Sequence, residues 1–204
     1  MIPLALLWTC WCLVHSLLIT ARLNSWIRSK GGLLQGIYRI VYILFAIISL
    51  VPVLWYQYQL PQQLLFSWPG PWRILQGGLL MYAILMFYGG TRVYDTDFFL
   101  GISQWHSYRQ NREINSLPFS CRGILRYVRH PWYSGGIAFL WGLAPITDVN
   151  LLVRSILSVY LVIGTLLEER KLVRELGSPY RNYCNRVPML IPWRGKVDYD
   201  KILS

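Results

Sequence analysis

Long blocks of apolar residues decide what this chain can fold into. Residues 2–20, 37–58, 74–90, 133–146 and 151–167 contain only two formally charged side chains, Arg39 and Arg154. A bilayer core about 30 Å thick needs roughly 20 apolar residues of helix, and these blocks are apolar on every face rather than along one stripe. We therefore expect an all-α integral membrane protein of about five transmembrane helices, forming a single membrane domain over 1–204. The block 133–146 is short, so it should tilt little, thin the bilayer locally or pack between its neighbours. No Lys or Arg precedes the first block, unlike a secretory signal, so it is read as a mature helix. Charged residues make up 14% of the chain against about 25% in soluble domains, and no linker, fixed-period repeat or low-complexity tract marks a second module.

Basic residues set the expected orientation. Eighteen of the twenty fall in segments 21–40, 91–131 and 168–204, leaving Arg73 and Arg154 for the opposite side. By the positive-inside rule the N-terminus is outside and the tail 168–204 cytoplasmic, in a multi-pass protein of the bacterial inner membrane. Trp55, Tyr56, Tyr58, Trp68 and Trp72 suit an aromatic belt at the outer interface. The net charge of +11 then needs no nucleic acid as partner, only membrane lipid. Residues 91–129, too polar to span, mix Phe98, Phe99 and Trp105 with Asp95, Asp97 and Arg109, which suits an interfacial helix. Cys10, Cys12, Cys121 and Cys184 have no metal or disulfide spacing and are read as free thiols, with no metal site expected.

Two polar signals carry chemistry. The first is Arg126-Tyr127-Val128-Arg129-His130-Pro131-Trp132-Tyr133-Ser134-Gly135-Gly136, where a loop enters a span. Pro131 suits the first turn of a helix, whose unpaired N–H groups favour an anion. Taken alone, the stretch serves equally as a basic anchor with a glycine packing face. The second is Glu168-Glu169, followed by Gly177, Tyr180, Tyr183, Val187-Pro188 and Ile191-Pro192. Two glutamates near the C-terminal part of a helix oppose its dipole unless they meet cations such as Arg129 or a ligand. An exposed pair balanced by Arg170 and Lys171 is the alternative.

Together the pattern RHPxYxG, a further span, then EExxLxxxxGxxYxxYxxxVPxxIP resembles the membrane methyltransferases of the isoprenylcysteine carboxyl methyltransferase and phospholipid methyltransferase group, over about residues 117–193. The resemblance implies a cytoplasmic S-adenosylmethionine site formed by Leu117, Pro118, Phe119, Ser120, Leu125, His130, Pro131, Trp132, Tyr133, Gly135 and Glu168, with Arg129, His130 and Glu169 as catalytic residues. A Tyr common in that group is Leu125 here, and the prenylcysteine enzymes' substrate-associated Arg is Gly164, which argues against a prenylcysteine carboxylate. In the first half, His15-Ser16-Leu17-Leu18, Tyr38-Arg39-Ile40-Val41-Tyr42, Tyr94-Asp95 and Phe99-Leu100-Gly101 resemble the NnrU-like branch, which includes methanethiol S-methyltransferases. That likeness implies methyl transfer to a small thiol, with His15, Tyr94 and Asp95 toward the substrate.

Such chemistry asks little of a protein. A sulfonium donor is already activated, so transfer to a thiolate needs alignment and exclusion of water, and His130 or a glutamate takes the acceptor's proton. A lipid-dissolved or prenylcysteine-type acceptor stays open. So does a haem-bearing isomerase, since NnrU-like zeta-carotene isomerases bind haem; here His15 would pair with His106 or His130. A structural membrane subunit binding no cofactor is a third reading. Gly77-Gly78 and Gly89-Gly90 are read as helix-packing or helix-end features.

Overall fold

The structure, a computed structural model, describes residues 1–112 and 120–198. In chain order its elements are α1 (Ile2–Leu18), α2 (Ala21–Lys30), α3 (Leu33–Gln59), β1 (Leu64–Phe66), α4 (Trp72–Thr91), α5 (Thr96–Leu100), α6 (Ile102–Arg109), a 3-10 turn (Gly123–Arg126), α7 (Pro131–Gly142), β2 (Ile146–Thr147), α8 (Asp148–Leu176) and α9 (Ser178–Arg186). The chain packs as two compact units, Met1–Gln62 with Asp95–Leu117, and Gln63–Tyr94 with Pro118–Ser204.

The chain is predominantly helical, and α3, α4 and α8 are each long and apolar enough to cross a bilayer. Their apolar side chains point outward: Ile48 on α3 is 68% exposed, and Ile84 on α4 and Val159 on α8 are similarly bare. Water would not tolerate that much exposed hydrocarbon. The 17 residues of α1 reach about 25 Å at 1.5 Å per residue. The block expected at 133–146 is instead the 12-residue α7, about 18 Å long. It stops because Pro145 and the Thr147 cap of the next helix follow: Thr147 Oγ1 accepts from the Asn150 amide at 3.2 Å and Asn150 Oδ1 from the Thr147 amide at 2.9 Å. The expectation of helices alone also needs correction, since β1 and β2 pair antiparallel, Leu64 opposite Thr147 and Phe66 opposite Ile146. A ladder this short has no period to read in a sequence. At its other end α8 runs on to Leu176, so Glu168 and Glu169 lie inside a helix rather than at its close.

In the first unit, α1 meets α3 through a polar ladder. Trp8 Nε1 donates to Gln57 Oε1 at 3.1 Å, Trp11 Nε1 to Ser49 Oγ at 3.1 Å, and the Tyr38 hydroxyl to the Leu18 carbonyl at 2.6 Å; the Tyr42 hydroxyl lies 2.7 Å from His15 Nε2. Asp95 caps α5, accepting from the Phe98 amide at 2.9 Å. These bonds satisfy groups that hydrocarbon would leave bare.

The second unit is built around the crossing of α4 and α7. Glycines permit it: a Cβ on Gly135 would lie 2.9 Å from Met86 Cβ, and one on Gly90 would meet Trp132 Nε1 at 2.2 Å. Gly89 packs likewise on Ile124, whereas Gly77 and Gly78 face nothing within 4 Å, so only the second pair serves packing. Trp68 is buried, against its expected place in a belt; Nε1 donates to the Ala144 carbonyl at 3.3 Å. Arg154, buried in α8, donates to the carbonyls of Trp141, Ala144 and Pro145 at 3.3, 3.0 and 3.2 Å, so α7 ends on a cation that suits its negative dipole end.

Candidate functional site

All the chemistry-bearing groups of the second unit converge at the start of α7. Pro131 opens that helix and His130 is its N-cap, a fit between proline's fixed φ and missing donor and the first turn. The preceding backbone is held against residues 188 and 189: the Arg129 amide donates to the Pro188 carbonyl at 3.0 Å and the His130 amide to that of Met189 at 3.1 Å. Below it, Tyr183 on α9 donates to the Leu125 carbonyl at 2.6 Å, and Cys121, Tyr180, Tyr183 and Val187 make a small buried core. The RHP loop and the VP segment are thus two strands of one support.

Glu168 and Glu169 of α8 face that loop. Arg129 Nε donates to Glu169 Oε1 at 2.6 Å, and Nη1 donates to the Cys184 carbonyl at 2.7 Å and to the Val187 carbonyl. The same Glu169 oxygen lies 3.2 Å from His130 Nε2, while His130 Nδ1 is 3.9 Å from Glu168 Oε2. Burial works against the charge of Arg129, and the hydrogen bond and charge of Glu169 more than offset it, so its pKa lies above the usual guanidinium range. The side chains of Arg129, His130 and Glu169 are 8, 3 and 16% exposed, that of Glu168 40%. The Tyr133 ring stands edge-on to His130 at 5.7 Å, close to Glu168. Tyr94 donates to the Arg129 carbonyl at 3.4 Å and meets the Trp132 ring at 4.8 Å; burial, then the Glu168 charge, push its hydroxyl up.

A sequence model described as NnrU protein matches residues 3–181, which include the RHP loop and both glutamates. The chain belongs to the NnrU family. It is similar to methanethiol S-methyltransferase 1 of Bradyrhizobium diazoefficiens, 29% identical over 190 residues that cover 90% of this chain and 64% of that one. Its identity to the methanethiol S-methyltransferase of Crocosphaera subtropica is 28%, covering 90% and 71% of the two chains, and to that of Mycobacterium tuberculosis 27%, covering 78% and 65%. The chain thus spans about two thirds of the length of these relatives. No solved structure matches it.

Of the residues expected in the site of this NnrU protein, the structure brings together Arg129, His130, Pro131, Tyr133, Glu168, Glu169 and Tyr94. Leu125 supports the loop from below through its carbonyl. Trp132 and Gly135 turn instead toward α4, where Trp132 covers Gly90 and donates to the Phe87 carbonyl at 3.3 Å. Ser120 is half-buried at the entry to the 3-10 turn, whereas Leu117, Pro118 and Phe119 lie outside the described residues. His15 and Asp95 belong to the first unit, where His15 meets Tyr42 and Asp95 caps a helix. The haem reading finds both ring nitrogens of His130 turned to carboxylates.

Two features escaped sequence reasoning. Ser134 donates to the Leu190 carbonyl and lies 2.6 Å from the Tyr82 hydroxyl, which fixes the segment after Val187-Pro188 against α7. A tyrosine inside an apolar block was the available signal. Arg126 likewise donates from Nε to the Val197 carbonyl at 2.8 Å, so the tail folds back over the 3-10 turn.

The charges leave a remainder. Arg129 pairs with Glu169, and Glu168, the exposed member beside Tyr133, has no Arg or Lys partner among the described residues. This arrangement fits a cationic ligand bearing an aromatic ring, since the carboxylate suits the cation and the tyrosine face suits both.

Proposed function

We propose that this NnrU protein is an integral membrane S-adenosylmethionine-dependent methyltransferase that methylates a small thiol such as methanethiol. The observation that carries the reading is the half-exposed carboxylate of Glu168, without an Arg or Lys partner among the described residues, beside Tyr133 and His130 where the RHP loop meets α8. Glu168, His130 and Tyr133 would hold the donor. When bound, the donor supplies an activated methyl group on a positively charged sulfur.

The chain's own residues do the rest. Glu168 matches the positive charge, Tyr133 orients, and the buried loop keeps water from the reacting atoms. A small acceptor is supported by Gly164, one helical turn before Glu168, which offers no cation to hold the carboxylate of a lipid or prenylcysteine acceptor. We infer further that α1 and α7 enter the bilayer as α3, α4 and α8 do, making five passes of one membrane domain in a bacterial inner membrane. The N-terminus is then outside, and the site and the end of α8 face the cytoplasm.

The test offers the purified protein labelled S-adenosylmethionine with a panel of thiols, amines and lipid carboxylates. Label should appear in the thioether of a small thiol, and Glu168→Gln should abolish donor binding. Label in another acceptor class, or full activity of Glu168→Gln, refutes the assignment.

A further inference from the structure

Methylating a thiol releases a proton, and the arrangement around His130 says where it goes. Glu169 Oε1 lies 2.6 Å from Arg129 Nε and 3.2 Å from His130 Nε2. A carboxylate oxygen in two such contacts accepts both bonds, so the imidazole proton sits on Nε2. In the neutral ring Nδ1 carries the lone pair, and 3.9 Å away stands Glu168 Oε2, a second acceptor. A proton delivered by a donor at this gap would be shared between the two.

Resting on the reading above, we propose that His130 Nδ1 is the general base of the methyl transfer, reached by way of Glu168. Glu168 is the exposed member of the pair and the ring is buried, so the acceptor approaches along the carboxylate. The acceptor's S–H bond breaks and its proton goes to Nδ1. Its sulfur takes the methyl group as the carbon–sulfur bond to the donor breaks, and that electron pair stays on the donor's sulfur, cancelling its charge. Arg129 and Glu169 touch no reacting atom; they are positioning residues that fix the tautomer, as the third member of a nucleophile–base–orienter set does. The titratable groups facing the ring are Glu168 and Glu169 from α8 and Tyr133 from α7, with Arg129 behind Glu169 and Tyr94 beyond Glu168.

The experiment compares wild type with His130→Gln, using two acceptors: an alkyl thiol, protonated at pH 7, and a nitro-substituted aromatic thiol, already a thiolate there. His130→Gln should lose about 10²–10⁴-fold more in kcat on the alkyl thiol than on the aromatic one, a ratio that any change in its calorimetric affinity for S-adenosylhomocysteine leaves intact. Equal loss on both thiols, or none on either, overturns the assignment. In wild type, ¹⁵N shifts of His130 at pH 7.5 should show Nε2 protonated and Nδ1 bare, and Glu169→Ala should mix the tautomers; an imidazolium pattern in wild type also overturns it. Failure of wild type to bind S-adenosylhomocysteine or to methylate either thiol would instead sink the methyltransferase reading, and the base with it.

Discussion

Replacing Arg129 with alanine should destabilise the protein more than almost any other single change in the second unit. The guanidinium bonds Glu169 and the carbonyls of Cys184 and Val187, and the two charged side chains are 8 and 16% exposed, so solvent screens them little. Without the arginine Glu169 is a poorly solvated carboxylate with His130 as its remaining close partner, and the end of α9 loses its donor. Stranding one member of a buried pair costs about 3–5 kcal/mol. For a chain of this size each kcal/mol moves Tm by about 2–4 °C, so the midpoint in detergent should fall by roughly 6–20 °C. Arg129→Lys should recover only part, because one ammonium on a flexible stem cannot reproduce the planar fork that serves three acceptors. Adding Glu169→Ala to Arg129→Ala removes the stranded charge and should restore stability by about 0.5–3 kcal/mol relative to additivity. A midpoint for Arg129→Ala within about 2 °C of wild type, or strict additivity of the double variant, would refute the reasoning.

Three further predictions follow from the packing. Arg154→Met strips the donor from the carbonyls at the end of α7; a loss of about 1–3 kcal/mol and faster hydrogen exchange over 143–147 should be measured. Gly90→Ala places a Cβ 2.2 Å from Trp132 Nε1, which forces the ring aside at about 1–3 kcal/mol and shifts tryptophan emission, whereas Gly77→Ala and Gly78→Ala, with nothing within 4 Å, should leave Tm unchanged or slightly higher. Burial pushes the Cys121 thiol up. The stability this contributes is therefore complete below the range of a free thiol, about 8.5, and falls as pH rises through it. Maleimide at pH 8 should label Cys121 far more slowly in the folded protein than in the unfolded chain, and equal rates would show that the burial is wrong.

Local properties decide what can be read without coordinates, and much of this protein is local. The apolar blocks at 37–58, 74–90 and 151–167 became α3, α4 and α8 because their length and lack of charge leave hydrocarbon as the only solvent in which they bury anything. Pro131 fixed the start of α7 through its own ring. The motif residues Arg129, His130, Glu168 and Glu169 pointed to one site, with Arg129 as one candidate partner for the two consecutive acids. Tertiary structure decided the rest. Which glutamate Arg129 neutralises, and hence which one stays open to a ligand, depends on a contact across forty residues of chain. That Gly135 and Trp132 pack against α4 depends on which way α7 is rolled against its neighbour. The end of α7 is held by Arg154 and Trp68, which reach the Ala144 carbonyl from elsewhere in the chain. A residue's chemistry belongs to its own atoms, but its partner is supplied by the fold.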